Sequence, residues 1–139
     1  MKNIIITGAL GQDGILLSKI LVKKKFKVFG LLNSSKKRAI TKVKNVKYHK
    51  ISNRKFQNVK NLLDNIKPDV IIHFGSNNPS FNQNFKKIDY EKNSEFTKKL
   101  INYLIENKKI KFIFPSSSQI YKFSKKKINE KSGYIANSY

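Results

Sequence analysis

The chain has no cysteine and no tryptophan, and only two of its 139 residues are histidines. Without cysteine it has no disulfide framework, no thiolate nucleophile and no cysteine metal site. His49 and His73 are too few for a histidine-based metal cluster, so we expect no metal. The sequence also has no signal-type segment and no run of about 18 apolar residues, which predicts a soluble cytoplasmic protein that is not a membrane protein.

Acidic residues are also scarce: the chain has eight aspartates and glutamates but 30 lysines and arginines, which gives a formal net charge of +22. Such a charge favours non-specific adhesion to polyanions through counterion release. Arg38 and Arg54 are the only arginines, and arginine is the usual reader of guanine edges. The lysines recur at nearly every polar position and form no single patch. We therefore expect no specific nucleic-acid partner. A polyanion-binding basic protein is the weakest of the three hypotheses for this chain, and the other two are given below.

Three of the six glycines lie at a spacing of three residues in one stretch, at positions 8, 11 and 14. The stretch follows an aliphatic run that predicts a buried strand and precedes a periodic run that predicts a helix. Gly8 suits the positive φ of a tight turn, Gly11 lets the backbone approach a pyrophosphate, and Gly14 allows close packing of helix on strand. The helix N-terminus would bind the anion. The alternative is a helix-capping glycine turn without a ligand.

The spacing Gly-x-x-Gly-x-x-Gly after Thr7 resembles the extended short-chain dehydrogenase/reductase family, also called the NAD-dependent epimerase/dehydratase family. Within that family, the run Gly11-Gln12-Asp13-Gly14 is most similar to the GDP-mannose 4,6-dehydratases. The resemblance implies the NADP-binding part of a nucleotide-sugar dehydratase or epimerase, which transfers hydride at sugar C4 of GDP-mannose or a related substrate. The resemblance is compatible with a homo-oligomer and does not determine the oligomeric state. Because members normally continue well beyond residue 139, residues 1–139 are expected to be a truncated Rossmann domain without its substrate domain.

Strand and helix patterns alternate along the rest of the chain. Right-handed crossovers then predict an α/β fold, a Rossmann-like doubly wound parallel sheet of order 3-2-1-4-5 that is incomplete relative to the family. The ligand crevice should lie where the strand order reverses, at the carboxyl ends of strands one and four. The apolar positions predict the buried helix faces: Ile15, Leu16, Ile20 and Leu21 in the first helix, Phe56, Val59, Leu62, Leu63 and Ile66 in the second, and Phe96, Leu100, Ile101, Leu104 and Ile105 in the third.

The exit of the second strand bears on the choice of cofactor. An acidic residue there would bond the ribose hydroxyls of NAD, but the chain has Asn33, Ser34 and Ser35 followed by basic residues that include Arg38. Hydroxyls followed by cations suit a 2′-phosphate, so NADP is favoured over NAD, and NAD stays an alternative. An ordinary solvated basic loop is the competing interpretation.

The resemblance implies further cofactor contacts. The glycine turn contributes Thr7, Gly8, Gly11, Gln12, Asp13 and Gly14. Ile51 is expected to pack on the adenine, although Lys50 replaces the family's aspartate beside it. The turn after the fourth strand contributes Phe74, Gly75 and Ser76. We interpret His73 as a strand-end residue rather than a catalytic base.

The resemblance also implies a catalytic pair. Ser117 matches the family's catalytic hydroxyl and Tyr139 its acid/base tyrosine, whose partner lysine would fall at position 143. Gln119 stands where the dehydratases carry a glutamate, and an amide is no carboxylate base. Dehydratase, epimerase and reductase chemistry therefore stay open. The 139-residue chain by itself is expected to be inactive, and the second reading is a non-catalytic Rossmann-like binding module or a pseudogene-like remnant.

Overall fold

The computed structural model describes residues 1–33, 42–51, 55–76, 87–116, 121 and 127–134. Strands and helices alternate along these residues, as the sequence pattern predicts. The elements in chain order are β1 (Asn3–Thr7), α1 (Gln12–Lys23), β2 (Lys27–Asn33), β3 (Val46–Ile51), α2 (Phe56–Ile66), β4 (Val70–His73), α3 (Lys87–Glu106) and β5 (Lys111–Ile113).

The five strands form one sheet of order β3-β2-β1-β4-β5, in which every neighbouring pair is parallel. The predicted Rossmann-like fold and its strand order are therefore confirmed. The order reverses between β1 and β4, where Thr7 is the register partner of His73. This pair marks the carboxyl edge of the sheet at the point where open α/β sheets bind ligands.

Apolar side chains fill both faces of the sheet, as parallel strands require. On one face, α2 and α3 cover a cluster that includes Ile5, Ile71 and Leu63, all fully buried. On the other face, α1 covers a smaller cluster around Ile6 and Ala9. The fourth strand is buried on both sides, because Ile71 and Ile72 belong to opposite clusters.

The buried face of α1 differs from the predicted one. Leu16 and Ile20 are 53% and 52% exposed, whereas Gly14 and Ser18 are the residues that the helix buries. A Cβ at Gly14 would lie 2.5 Å from the carbonyl oxygen of Gly8, so the helix can approach the sheet only along this small-residue stripe. The close packing predicted at Gly14 is therefore confirmed. The face predicted from apolar character is wrong at Leu16 and Ile20, because close packing selects for small side chains here.

The predicted buried face of α2 is confirmed, and that of α3 is partly wrong. Phe96 and Leu100 are buried, but Ile101 is 40% and Ile105 62% exposed. The interior position falls to Tyr103, which is 5% exposed and whose hydroxyl donates to Asp64 Oδ1 of α2 at 2.8 Å. This bond lets an amphipathic tyrosine occupy a core position. None of the helices within the described ranges has the length and apolarity that crossing a membrane demands.

Candidate functional site

The turn between β1 and α1 is built by its glycines. Gly8 has a φ of +68°, and its carbonyl oxygen accepts the Gly11 N–H at 2.8 Å, which closes the turn. A Cβ at Gly8 would lie 2.8 Å from the carbonyl carbon of Phe74. Both the backbone conformation and the space therefore require glycine at position 8.

Gly11 differs from the other two glycines of the turn. It is the N-cap of α1, with φ −75° and ψ 168°, a conformation that any residue adopts. A Cβ there would approach only the Gly8 carbonyl oxygen, at 3.2 Å, and Gly11 is exposed. The fold itself therefore has no strong need for glycine at this position. Its bare backbone lies beside the first-turn N–H groups of α1, which an α-helix leaves without intrahelical partners.

The first turn of α1 holds two further predicted residues. Gln12 and Asp13 are both exposed at the helix N-terminus, next to the positive end of the helix dipole. Asp13 is the acidic residue of this turn and favours helix formation there. An anion that binds at this N-terminus would therefore contact backbone N–H groups close to one carboxylate.

The turn after β4 packs directly on the glycine turn. The Phe74 N–H donates to the Thr7 carbonyl oxygen at 3.2 Å, and the Gly75 N–H donates to Thr7 Oγ1 at 2.9 Å. A Cβ at Gly75 would lie 2.8 Å from Thr7 Oγ1. The structure thus brings the predicted residues Thr7, Gly8, Phe74 and Gly75 together, with the exposed Ser76 next to them.

His73 extends this contact into the interior. Its Nδ1 lies 2.5 Å from Thr7 Oγ1, and its Nε2 lies 2.9 Å from Thr97 Oγ1 of α3. Burial lowers the pKa of His73 from 6.5 to about 4, because the charged imidazolium is poorly solvated there. His73 is 2% exposed, which agrees with its interpretation as a structural strand-end residue.

Two further predicted cofactor residues end the neighbouring strands. Asn33 and Ile51 are register partners at the ends of β2 and β3, away from the β1–β4 reversal. Ile51 is 7% exposed and packs in the core under α2, so it offers little surface to a ligand. Lys50 beside it is exposed.

Several predicted site residues lie outside the described residues. They are Ser34, Ser35, Arg38, Ser117, Gln119 and Tyr139. Pro115 and Ser116, which lead from β5 toward Ser117, are described and exposed. Within the described ranges, no three His, Cys, Asp or Glu side chains are grouped so that they could hold a metal ion.

Thr97 is a site residue that sequence reasoning missed. It interrupts the apolar stripe of α3 three residues before Leu100 and seven before Leu104. A polar residue on a predicted buried face requires a hydrogen-bond partner in the core. That signal, together with the histidine at the end of the predicted fourth strand, would have indicated a hydrogen bond between His73 and Thr97.

This architecture defines a class, the doubly wound α/β proteins with a glycine-rich turn and a helix N-terminus at the strand-order reversal. The model of the NAD dependent epimerase/dehydratase family matches residues 4–137. The chain belongs to that family. No curated protein sequence is significantly similar to it.

Solved structures resemble the fold closely despite low sequence identity. The chain is similar to the UDP-Glc/GlcNAc 4-epimerase of Campylobacter jejuni (TM-score 0.82, 24% identity, 97% of this chain and 43% of that one). It is also similar to the NAD complex of the Brucella ovis UDP-glucose 4-epimerase (0.83, 18%, 97% and 42%) and to that of the Bacillus anthracis dTDP-glucose 4,6-dehydratase (0.75, 16%, 99% and 45%). The chain spans less than half the length of each.

Proposed function

We propose that this chain binds a nicotinamide dinucleotide and is the cofactor-binding part of an enzyme that acts on a nucleotide-sugar. One observation carries the proposal. Gly8 and Gly14 are required by internal contacts, whereas Gly11 is open to solvent at the N-terminus of α1. The fold does not require glycine at position 11. A pyrophosphate that binds at the helix N-terminus does require it, because a side chain there would block its approach to the backbone. The NAD complexes of the similar structures support the same conclusion.

Gly11→Val tests this proposal by filling the space that the pyrophosphate would occupy. We expect the wild-type chain to bind NAD(H) or NADP(H) in a calorimetric titration, and the variant to lose the binding while it keeps its circular dichroism and unfolding transition. Gly133→Val is the matched control, because a Cβ at Gly133 has no atom within 4 Å. Equal binding by Gly11→Val and wild type would refute the pyrophosphate site.

The choice between NADP and NAD is a separate proposal. Ser34, Ser35 and Arg38 follow the end of β2 in the sequence, and their hydroxyls and positive charge suit a 2′-phosphate. We expect NADPH to bind more tightly than NADH, and Arg38→Glu to reduce that ratio. Lys108 lies just before β5 at the amino edge of the sheet, and Lys108→Glu, which makes the same change in net charge, is the control. An unchanged ratio in Arg38→Glu would mean that this loop is merely solvated. Tighter binding of NADH than of NADPH by the wild-type chain would favour NAD, as in the similar NAD complexes.

The reacting residues of the proposed enzyme are Ser117 and Tyr139. A serine hydroxyl that bonds the sugar oxygen at C4 assists the tyrosine in moving its proton while hydride passes to the nicotinamide. GDP-mannose is the proposed substrate. The UDP- and dTDP-sugars in the names of the similar enzymes are the alternative candidate substrates. Gln119 favours epimerase or reductase chemistry over dehydration, because an amide cannot remove a proton as a carboxylate does.

Residues 1–139 by themselves are expected to be inactive, so the test uses the chain extended with a relative's remaining residues. A nicotinamide absorbance assay of this extended chain with each of the three nucleotide-sugars tests these roles. Ser117→Ala should abolish any absorbance change without weakening cofactor binding, and Ser132→Ala should change neither. If Ser117→Ala has no effect on turnover, the catalytic hydroxyl lies elsewhere. If the extended chain binds cofactor but turns over no sugar, the binding-module hypothesis is favoured over the enzyme.

A further inference from the structure

His73 is buried in a pocket of the protein that contains no ionisable partner among the described residues. Its ring packs against three phenylalanines, with centroid distances of 5.8 Å to Phe96, 6.2 Å to Phe112 and 5.3 Å to Phe114. Among the residues that the structure describes, the polar groups that hydrogen-bond the ring are the hydroxyls of Thr7 and Thr97. An imidazole in such surroundings is neutral at neutral pH.

A neutral imidazole has one donor nitrogen and one acceptor nitrogen, and the contacts of Thr7 indicate which is which. Thr7 Oγ1 already accepts the Gly75 N–H, and His73 Nδ1 is the one acceptor within reach of the Thr7 hydroxyl among the described residues. The Thr7 hydroxyl hydrogen is therefore satisfied when Thr7 donates to His73 Nδ1. The Nε2–H of His73 then donates to Thr97.

These bonds form a continuous chain from the Gly75 N–H through Thr7 and His73 to Thr97. It connects the turn after β4, the end of β1 and helix α3. Thr7 Oγ1 sits where the glycine turn and the β4 turn are pressed together, 2.8 Å from a Cβ built at Gly75. The direction of the Thr7 hydroxyl therefore determines whether a lone pair of Oγ1 points at the Gly75 N–H.

We propose that His73 is a positioning residue of the cofactor site, which holds the Thr7 hydroxyl so that Thr7 locks the β4 turn against the glycine turn. This inference rests on the proposed cofactor function. A histidine with both nitrogens protonated would present a donor to Thr7 Oγ1. Oγ1 would then have to accept from both His73 and Gly75, and its own hydrogen would have no acceptor among the described residues.

Two amide variants distinguish the roles of the two ring nitrogens of His73. His73→Asn places an amide oxygen near the position of Nδ1 and keeps the acceptor for Thr7. His73→Gln reaches toward the position of Nε2 and Thr97 but leaves Thr7 without that acceptor. We expect His73→Gln to raise the Kd for NADH about tenfold, the equivalent of one net hydrogen bond, and His73→Asn to raise it less than threefold. Equal effects of the two variants would overturn the proposal.

Amide hydrogen exchange of the ligand-free protein gives a readout that does not depend on cofactor binding. The Gly75 amide should exchange at least tenfold faster in His73→Gln than in wild type and His73→Asn, while the Ile5 amide in the middle of β1 is unchanged. If wild type binds neither NADH nor NADPH, the proposed function fails, but Gly75 exchange still decides the role of His73. Unchanged Gly75 exchange in His73→Gln would refute the positioning role.

Two further tests apply if a His73 variant does not fold: the tautomer of His73 in wild type, and a pair of variants at Thr7. Long-range nitrogen–proton correlation spectra of wild type should identify a neutral His73 protonated at Nε2, and protonation at Nδ1 would overturn the assignment. Thr7→Ser keeps the hydroxyl and should protect Gly75 as wild type does. Thr7→Val replaces it with a methyl group and should release Gly75 as His73→Gln does. Equal protection of Gly75 in the two Thr7 variants would contradict the proposal.

Discussion

At the amino edge of the sheet, β1 and β4 are joined by groups that satisfy one another, whereas at the carboxyl edge the same strands end in glycine turns. Asn3 donates its N–H to Asp69 Oδ2 at 2.7 Å and its side-chain amide to the Ile66 carbonyl oxygen at 2.8 Å. At the other edge, Gly11, Gln12 and Asp13 at the N-terminus of α1 are exposed. The amino edge therefore fastens the fold, and the carboxyl edge keeps backbone groups available for a ligand.

The groove at the amino edge strengthens this contrast. It has a volume of about 590 Å³ and is lined by residues from the ends of α2 and α3. Its carboxylates already have partners, because Asp64 accepts the Tyr103 hydroxyl and Glu106 lies 3.7 Å from Lys60. A large concave surface is therefore a weaker indication of a binding site here than a small glycine turn at the strand-order reversal.

The largest expected effect is that of Gly8→Ala. Alanine at φ +68° and with a Cβ 2.8 Å from the Phe74 backbone should cost about 4 kcal/mol from backbone strain and overpacking together. Gly11→Ala should cost about 1 kcal/mol or less, because its conformation is ordinary. Urea unfolding followed by circular dichroism measures both. Similar losses would mean that the two glycines do not differ in the way the structure indicates.

Acid should weaken the carboxyl edge through His73. Because the folded-state pKa of His73 is lowered from 6.5 to about 4, the unfolded chain takes up the proton first. Stability is then lost as the pH falls from 6.5 toward 4. Between pH 7 and pH 4.5, wild type should lose about 2 kcal/mol more than His73→Asn. Urea unfolding of both proteins across this range is the measurement, and parallel pH profiles would show that His73 is not buried as a neutral group.

A change at the amino edge should affect stability and leave ligand binding intact. Asp69→Ala removes the charge-assisted bond to the Asn3 N–H and should cost about 1.5 kcal/mol. The Kd for the nicotinamide cofactor should stay within twofold of wild type. Calorimetry and urea unfolding of the same samples test this, and a weakened Kd would contradict the separation of the two edges.

A small effect is expected of Tyr103→Phe, which removes the hydrogen bond to Asp64 and should cost about 1 kcal/mol. Burial raises the pKa of Tyr103 to about 12, and the hydrogen bond to Asp64 adds to the shift. Its contribution is therefore present below pH 10 and is lost as the pH rises toward 12. Wild type and Tyr103→Phe should converge in stability over that range in urea titrations, and a constant difference would place the effect elsewhere.

Much of the fold could be predicted from local patterns. The alternation of apolar strands with periodic helices determines a parallel α/β sheet, and the handedness of crossovers limits its order. Glycine spacing located the turn at the strand-order reversal. These features depend on residues close together in the chain, so the sequence alone determined the order 3-2-1-4-5 and the position of the glycine turn.

The tertiary structure decided what depends on the distance between remote residues. Hydropathy placed Leu16 and Ile20 in the core, but the close approach of α1 to Gly8 and Ala9 selects the small stripe of Gly14 and Ser18 instead. The glycine spacing predicts the positive φ of Gly8, and the structure confirms it. The close contact of Gly8 with the Phe74 backbone, and the freedom from glycine at position 11, follow from neighbouring backbone atoms that no spacing rule contains.

The same holds for His73, which the sequence marks only as the end of a strand. Its partners Thr7 and Thr97 lie 66 and 24 residues away in the chain. A hydrogen bond requires its donor and acceptor to be about 3 Å apart, and only the packing of β1, β4 and α3 brings these groups to that distance. The sequence therefore determined which residue types are available at the site, and the tertiary structure decided which of them touch.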